Sequence, residues 1–330
     1  MQRPMLLDAA LDADLPLRDA AEAARAAEAA GVDGLWTTEI KHDPFLPLAA
    51  AATVTDRIEL GTAVAVAFAR SPVVTANSAW DLARVSGGRF ILGLGSQVRA
   101  HIERRFGMPW SGRPVAQMRE YVAVVRGAWT AWQEGTRPSI RGEFYRFTLM
   151  TPFFDPGPIE HPVIPIYLAA VGPGMVRLAG EVADGLVVHP LHSRAYLEDV
   201  VVPTIATAAP AADRDASAVK LSASVIVATN DDEIAGARRT IGFYASTPTY
   251  RGLLEHHGWG TEADALADHA RRGRWDEMPA VVTDAMVNAF AVVSEPGELR
   301  AALERRADGV LDRVAPYPPF DTGPWKALVP

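Results

Sequence analysis

LGTAVAVAFARSPVVTANSAWDLARVSGGRFILGLGSQ, residues 60–97, decides the fold. It opens inside a nearly continuous apolar run, IELGTAVAVAF (58–68), the pattern of a strand buried on both faces. SPVVTANSAWDLARVSGG (71–88) reads as a helix that stops at the pair Gly87-Gly88. RFILGLG (89–95) is a second short apolar run. Strand, helix and strand in that order make a parallel pair with a crossover helix.

The same unit repeats on both sides. Upstream, PMLLDAAL (4–11) and DGLWTT (33–38) read as strands. LRDAAEAARAAEAAG (17–31) and PLAAAATVT (47–55) read as helices. Strand starts near residues 4, 33, 58 and 89 recur every 25 to 31 residues, the length of one βα unit. Downstream, 115–135 is a long amphipathic helix, and PIYLAAVG (165–172), DGLVVHP (184–190), KLSASVIVAT (220–229) and GVLDRVAPYP (309–318) supply strands five to eight. NAFAVVSEPGELRAALERR (288–306) reads as an extended piece leading into a capped helix. The expected fold is α/β: a single (β/α)8 TIM barrel spanning residues 1–330. Two insertions interrupt it, about 137–164 and 231–285. The first contains a hairpin, IRGEFYRF, expected to lie over the barrel mouth.

Composition narrows the function. A formal net charge of -8 makes a nucleic-acid partner a poor fit, because phosphate selects for Lys and Arg. With no cysteine, disulfides, thiolate metal sites and cysteine nucleophiles are excluded. MQRPMLLDAALDAD lacks the regions of a signal peptide, and no run approaches a membrane span, so a cytoplasmic enzyme is the expectation. GLGSQV (93–98) and GPGMVR (172–177) each lack the third glycine of a dinucleotide fingerprint. The pairs His189/His192 and His256/His257 do not show convergent zinc ligands, so no metal is expected.

In such a barrel, chemistry sits at the C-terminal ends of the strands. After strand two, Glu39 and His42 are a carboxylate and an imidazole suited to acid–base work, or else a solvated loop with Glu39 paired to Lys41. After strand four, Ser96, Gln97 and His101 are dense in polar groups that could cradle a ring edge or phosphate, or else begin a solvated helix with Ser96 as N-cap. After strand five, Ala170, Val171 and Gly172 lead into a helix start that suits an anion, or form a plain βα turn.

Segment 60–97, together with GVDGLWTTE (31–39) and PIYLAAVGPGMVRLAGEVADGLVVHP (165–190), resembles the luciferase-like monooxygenase superfamily, and specifically its coenzyme F420-dependent oxidoreductase branch. The resemblance implies a barrel that holds a deazaflavin, coenzyme F420, at its mouth. The implied activity is hydride transfer to or from an unidentified small organic substrate. FMN with oxygen on the same scaffold, and a non-catalytic flavin-binding barrel, are the alternatives. It also implies a non-proline cis peptide after strand three, by position Ala63-Val64, with Ala63, Val64 and Val66 against the cofactor ring. Ser96, Gln97, His101, Ala170, Val171 and Gly172 fall on its other cofactor positions, and Glu39, His42 and His101 on or near its proton-handling ones. Relatives often place a His directly after the strand-two acid, whereas Ile40 stands here. A sugar-phosphate substrate is disfavoured because His192 falls where a basic residue would be required. A homodimer is implied, through helices that include the Ala-rich stretch 47–53, which would serve equally as a barrel-facing side.

Overall fold

A computed structural model describes residues 5–317, 319, 320, 325 and 328. Eight parallel strands form its centre: β1 (Leu6–Ala10), β2 (Gly34–Thr37), β3 (Glu59–Thr62), β4 (Phe90–Gly95), β5 (Ile166–Ala170), β6 (Gly185–Val188), β7 (Lys220–Ala228) and β8 (Arg313–Tyr317). Each pairs with the next, and β8 pairs with β1, so the sheet closes on itself. A closed sheet has no edge strands and directs every strand's C-terminal end to one face.

Outward-facing strand residues such as Leu7, Leu35, Leu60, Leu92 and Leu186 pack beneath a ring of helices. The helices that matter for the site are α1 (Ala20–Ala29), α2 (Phe45–Ala52), α3 (Pro72–Val85), α4 (Arg99–Arg104), α5 (Pro114–Glu134), α6 (Pro173–Val182) and α7 (Asp231–Ala245). The local signals are the usual ones. Ser71 caps α3 by accepting from the Val73 amide, with Pro72 in the first turn, and Gly135 closes α5 in the left-handed conformation.

Inward-facing residues fill the barrel. At its floor Asp8 accepts from Arg313 Nε and Nη2, both at 2.7 Å, and from Trp36 Nε1 at 2.8 Å, while Arg313 also pairs with Glu59. Burial opposes the Arg313 cation, but Asp8 and Glu59 outweigh it and hold its pKa above the ordinary value. Above this floor Trp36, Ile91 and Tyr167 form a separate apolar layer, with Ala63 and Val187 against it. Gly61 and Gly185 make room for two of those rings: a Cβ at either would lie 2.3 or 2.6 Å from Trp36 or Tyr167.

Two expectations change. The run 58–68 is not one strand: β3 stops at Thr62, Ala63-Val64 is cis as the resemblance implied, and pairing resumes at Ala65–Val66. Gly61 faces Ile91 and Ala65 faces Leu94, so β3 carries one extra residue there, a bulge. The hairpin, Ile140–Arg141 with Arg146–Phe147, is fastened to the flank of α5 rather than laid across the mouth. Glu120 of α5 accepts from the amides of Glu143, Phe144 and Tyr145, and Ile140 sits where Gly127 leaves space. In the Ala-rich stretch, Leu48, Ala51 and Ala52 face inward and pack within the chain. Ala291–Val293, the extended piece foreseen before the last helix (Leu299–Ala307), joins β7 along the edge β6 leaves beyond Val188. No helix of the described residues is long and apolar enough to cross a membrane.

Candidate active site at the barrel mouth

The bulge after β3 dominates one side of the mouth. Thr62 Oγ1 takes the place of a backbone partner: it donates to Gly93 O at 2.7 Å and accepts from Gly93 N at 2.9 Å. Any Cβ on Gly93 would collide with Thr62 O, and one on Gly95 would lie 2.6 Å from Val64 Cγ2. The Gly-x-Gly ending of β4 is therefore what admits the bulge. Ala63 and Val64 stay half-buried at the surface of the mouth, whereas Val66 turns its side chain into the core.

Glu39 locks this bulge. It is buried, and Oε2 accepts from the Val66 amide at 2.6 Å and from Arg70 Nη1 at 2.6 Å, while Oε1 accepts from Arg70 Nη2 at 2.8 Å. Its own amide donates to Val64 O. Burial opposes the Arg70 cation, but the Glu39 carboxylate, with Asp43 at 3.6 Å, more than compensates and keeps its pKa raised. The loop pairing of Glu39 with Lys41 does not form; Lys41 pairs with Asp14 instead. With both oxygens committed to a bidentate guanidinium and an amide, Glu39 is a positioning group for the backbone of residues 63–66.

The other two proton candidates stand apart from it. His42 is exposed and borders a small cavity of about 30 Å3 at the ends of β1 and β2, with Leu11, Asp12, Thr38 and Asp43. His101 is exposed on α4, so the helical alternative for this segment is the one that forms. Among the described residues no hydrogen bond or ion pair links Glu39, His42 and His101. Val98, not Ser96, occupies the N-cap position of α4, with no side-chain cap, and Gln97 has φ of 59°, a left-handed conformation rare outside glycine, with its Oε1 accepting from the Val98 amide. Ala170, Val171 and Gly172 end β5 and open α6, and a Cβ on Gly172 would meet nothing within 4 Å, so this turn is open.

The opposite side holds groups that sequence reasoning left out of the site. Val187 faces inward, and His189, two positions on, continues that face. Its ring lies 4.6 Å from that of Tyr244 on α7 and 4.7 Å from that of Tyr250. Tyr244 donates to the hydroxyl of Tyr317 at the end of β8, at 3.5 Å. The Leu191 amide donates to His189 Nδ1 at 3.1 Å, so the ring proton sits on Nε2, and burial pushes its pKa down to about 4. His192 is buried more deeply, pushed down to about 3 by burial and then by Arg306; its Nδ1 donates to His189 O and its Nε2 has no partner among the described residues. The signal available in the sequence was inward parity: His189 and Tyr317 each follow inward strand positions by two.

The profile of the luciferase-like monooxygenase family matches residues 3–313. The chain is 49% identical over 314 residues to an uncharacterised protein of Mycobacterium bovis, covering 93% of this chain and 92% of the other. It is 31% identical over 312 residues to the 5,10-methylenetetrahydromethanopterin reductase of Methanolobus tindarius, with 92% and 91% covered. Its fold matches the coenzyme F420-dependent tetrahydromethanopterin reductase of Methanopyrus kandleri with a TM-score of 0.80 at 24% identity, over 99% and 96% of the two chains. The chain belongs to the luciferase-like monooxygenase family.

Proposed function

We propose that this chain is an oxidoreductase that transfers a hydride between a coenzyme F420-type deazaflavin and a small organic substrate. The observation that carries this reading is the 31% identity, across nine-tenths of both chains, to a 5,10-methylenetetrahydromethanopterin reductase, together with the fold shared with a reductase described as coenzyme F420-dependent. When bound and reduced, a deazaflavin supplies two electrons and a proton together as hydride and activates oxygen poorly.

The residues present fit such a group. Ala63 and Val64, thrust out by the bulge, form a small apolar platform for a planar ring. Glu39 and Arg70 keep that platform rigid, which sets the ring's distance from the substrate. Ser96 and Gln97 would meet a polar ring edge, with the left-handed backbone at Gln97 directing that loop. Ala170, Val171 and Gly172 would line the far side, with Gly172 leaving an open approach to the start of α6. His42 and His101, exposed at the rim, are the groups able to exchange a proton with solvent beside the ring. Val66 contributes through its amide to Glu39.

Titration of the purified chain with coenzyme F420 and, separately, with FMN, followed by Trp fluorescence, tests this. Tight binding of the deazaflavin alone is expected. Tight binding of FMN alone would replace the proposal with an oxygen-using monooxygenase, and binding of neither would end it.

A further inference from the structure

The β6–β8 side of the mouth has a composition of its own. His189 just after β6, Ile226 near the end of β7 and Tyr317 at the end of β8 lie on three successive strands, and Tyr244 and Tyr250 from the segment after β7 roof them. Val171, at the end of β5, packs against the same cluster, which therefore adjoins the wall proposed for the cofactor.

Among the described residues, two polar hydrogens in this wall are unspent. His189 Nδ1 already accepts from the Leu191 amide, so Nε2 carries the proton. That Nε2 makes no hydrogen bond among the described residues, and unlike His192 Nε2 it is not sealed from solvent. Tyr317 accepts from Tyr244, which leaves its own hydroxyl hydrogen to give. The rings that build the wall are uncharged, and Arg306, the cation behind His192, gives Nη2 to His192 O and Ala289 O, while its Nε is sealed from solvent and has no partner among the described residues. An anion brought here would lose its water without gaining a cation, a costly exchange, whereas a neutral acceptor on an apolar or aromatic frame would satisfy both donors and stack on the rings.

We propose that His189 and Tyr317 are the substrate-positioning pair of this barrel, holding the acceptor oxygen or nitrogen of an uncharged, ring-bearing substrate against an aromatic wall. The inference rests on the hydride-transfer reading only for what then happens to that substrate; the recognition itself stands on the wall.

Acetophenone and benzoate make the test, being of nearly the same shape with a neutral and an anionic acceptor. Saturation-transfer NMR on the full chain measures the affinity of each. The expected result is that acetophenone binds at least tenfold more tightly than benzoate. His189→Phe and Tyr317→Phe, which keep ring volume, should each weaken acetophenone about five- to tenfold, the range of one neutral hydrogen bond. Coenzyme F420 titrations of the same variants should be unchanged, a readout that a merely disrupted fold would not preserve. If His189→Phe does not fold, Tyr317→Phe carries the test. Benzoate binding as tightly as acetophenone, both variants binding acetophenone like the parent chain, or no saturation transfer to either probe would overturn the proposal. A chain that binds acetophenone through His189 but binds no deazaflavin would leave this inference standing while the proposed function falls.

Discussion

The two sides of the barrel mouth are built by different physics. The β2–β4 side is polar and local: Glu39, Arg70, Thr62 and Gly93 lock a bulge with short, charge-assisted or backbone-directed bonds between neighbouring strands. The β6–β8 side is aromatic and assembled from afar: His189, Tyr244, Tyr250 and Tyr317 meet only when the segment after β7 folds back. Directional bonds specify one backbone geometry, which suits a platform for a cofactor common to many enzymes. Ring packing tolerates changes of shape, which suits the side proposed to hold the substrate.

Removing Arg70 should break the polar side most severely. Arg70→Ala leaves Glu39 buried without its cation and should lower unfolding stability by about 3–5 kcal/mol, with cofactor affinity lost as the bulge relaxes. Denaturant melts of parent and variant measure this, and a loss within about 1 kcal/mol would mean that the bulge is held by packing alone.

Acid should expose the aromatic side. An unfolded His takes up its proton near pH 6.5, whereas His189 in the folded chain resists until about pH 4 because burial disfavours the charge. Between those values the unfolded state binds more protons, so stability falls as pH drops through that window, by about 3 kcal/mol for this group. His192 adds to the slope in the same direction. His189→Phe should flatten part of it, and a slope identical to that of the parent chain would show that His189 is open to water.

A smaller effect tests the fit between β4 and the bulge. Gly95→Ala would press a Cβ against Val64 and should cost about 1–3 kcal/mol together with weakened deazaflavin binding, read by the same fluorescence titration. The mildest change, Tyr244→Phe, removes one long hydrogen bond to Tyr317 while keeping the ring. It should cost no more than about 1 kcal/mol in a thermal melt.

The barrel was legible because its strands are short apolar runs at a steady spacing, a pattern that survives without any knowledge of contacts. The break in β3 was legible only through family resemblance, since Ala63-Val64-Ala65-Val66 reads equally well as uninterrupted strand. The locking of that bulge was not: Glu39 suggested proton transfer, and nothing in its neighbourhood in the sequence pointed 31 residues ahead to Arg70. His189 had been weighed only as one of a histidine pair, because the tyrosines that enclose it come from a segment whose helical pattern says nothing about where it docks.

The floor of the barrel carries a consequence for how the chain is made. Asp8 and Arg313 are 305 residues apart, so the first strand emerges from the ribosome long before its counterion. Until β8 arrives, the growing sheet has two open edges, and Asp8 has only the Trp36 indole to satisfy it. The nascent chain should therefore stay open, hydrated and in need of chaperone protection through nearly all of its synthesis. Closure would then come late and in one step, as the last strand brings the guanidinium to a carboxylate that has been waiting since the beginning.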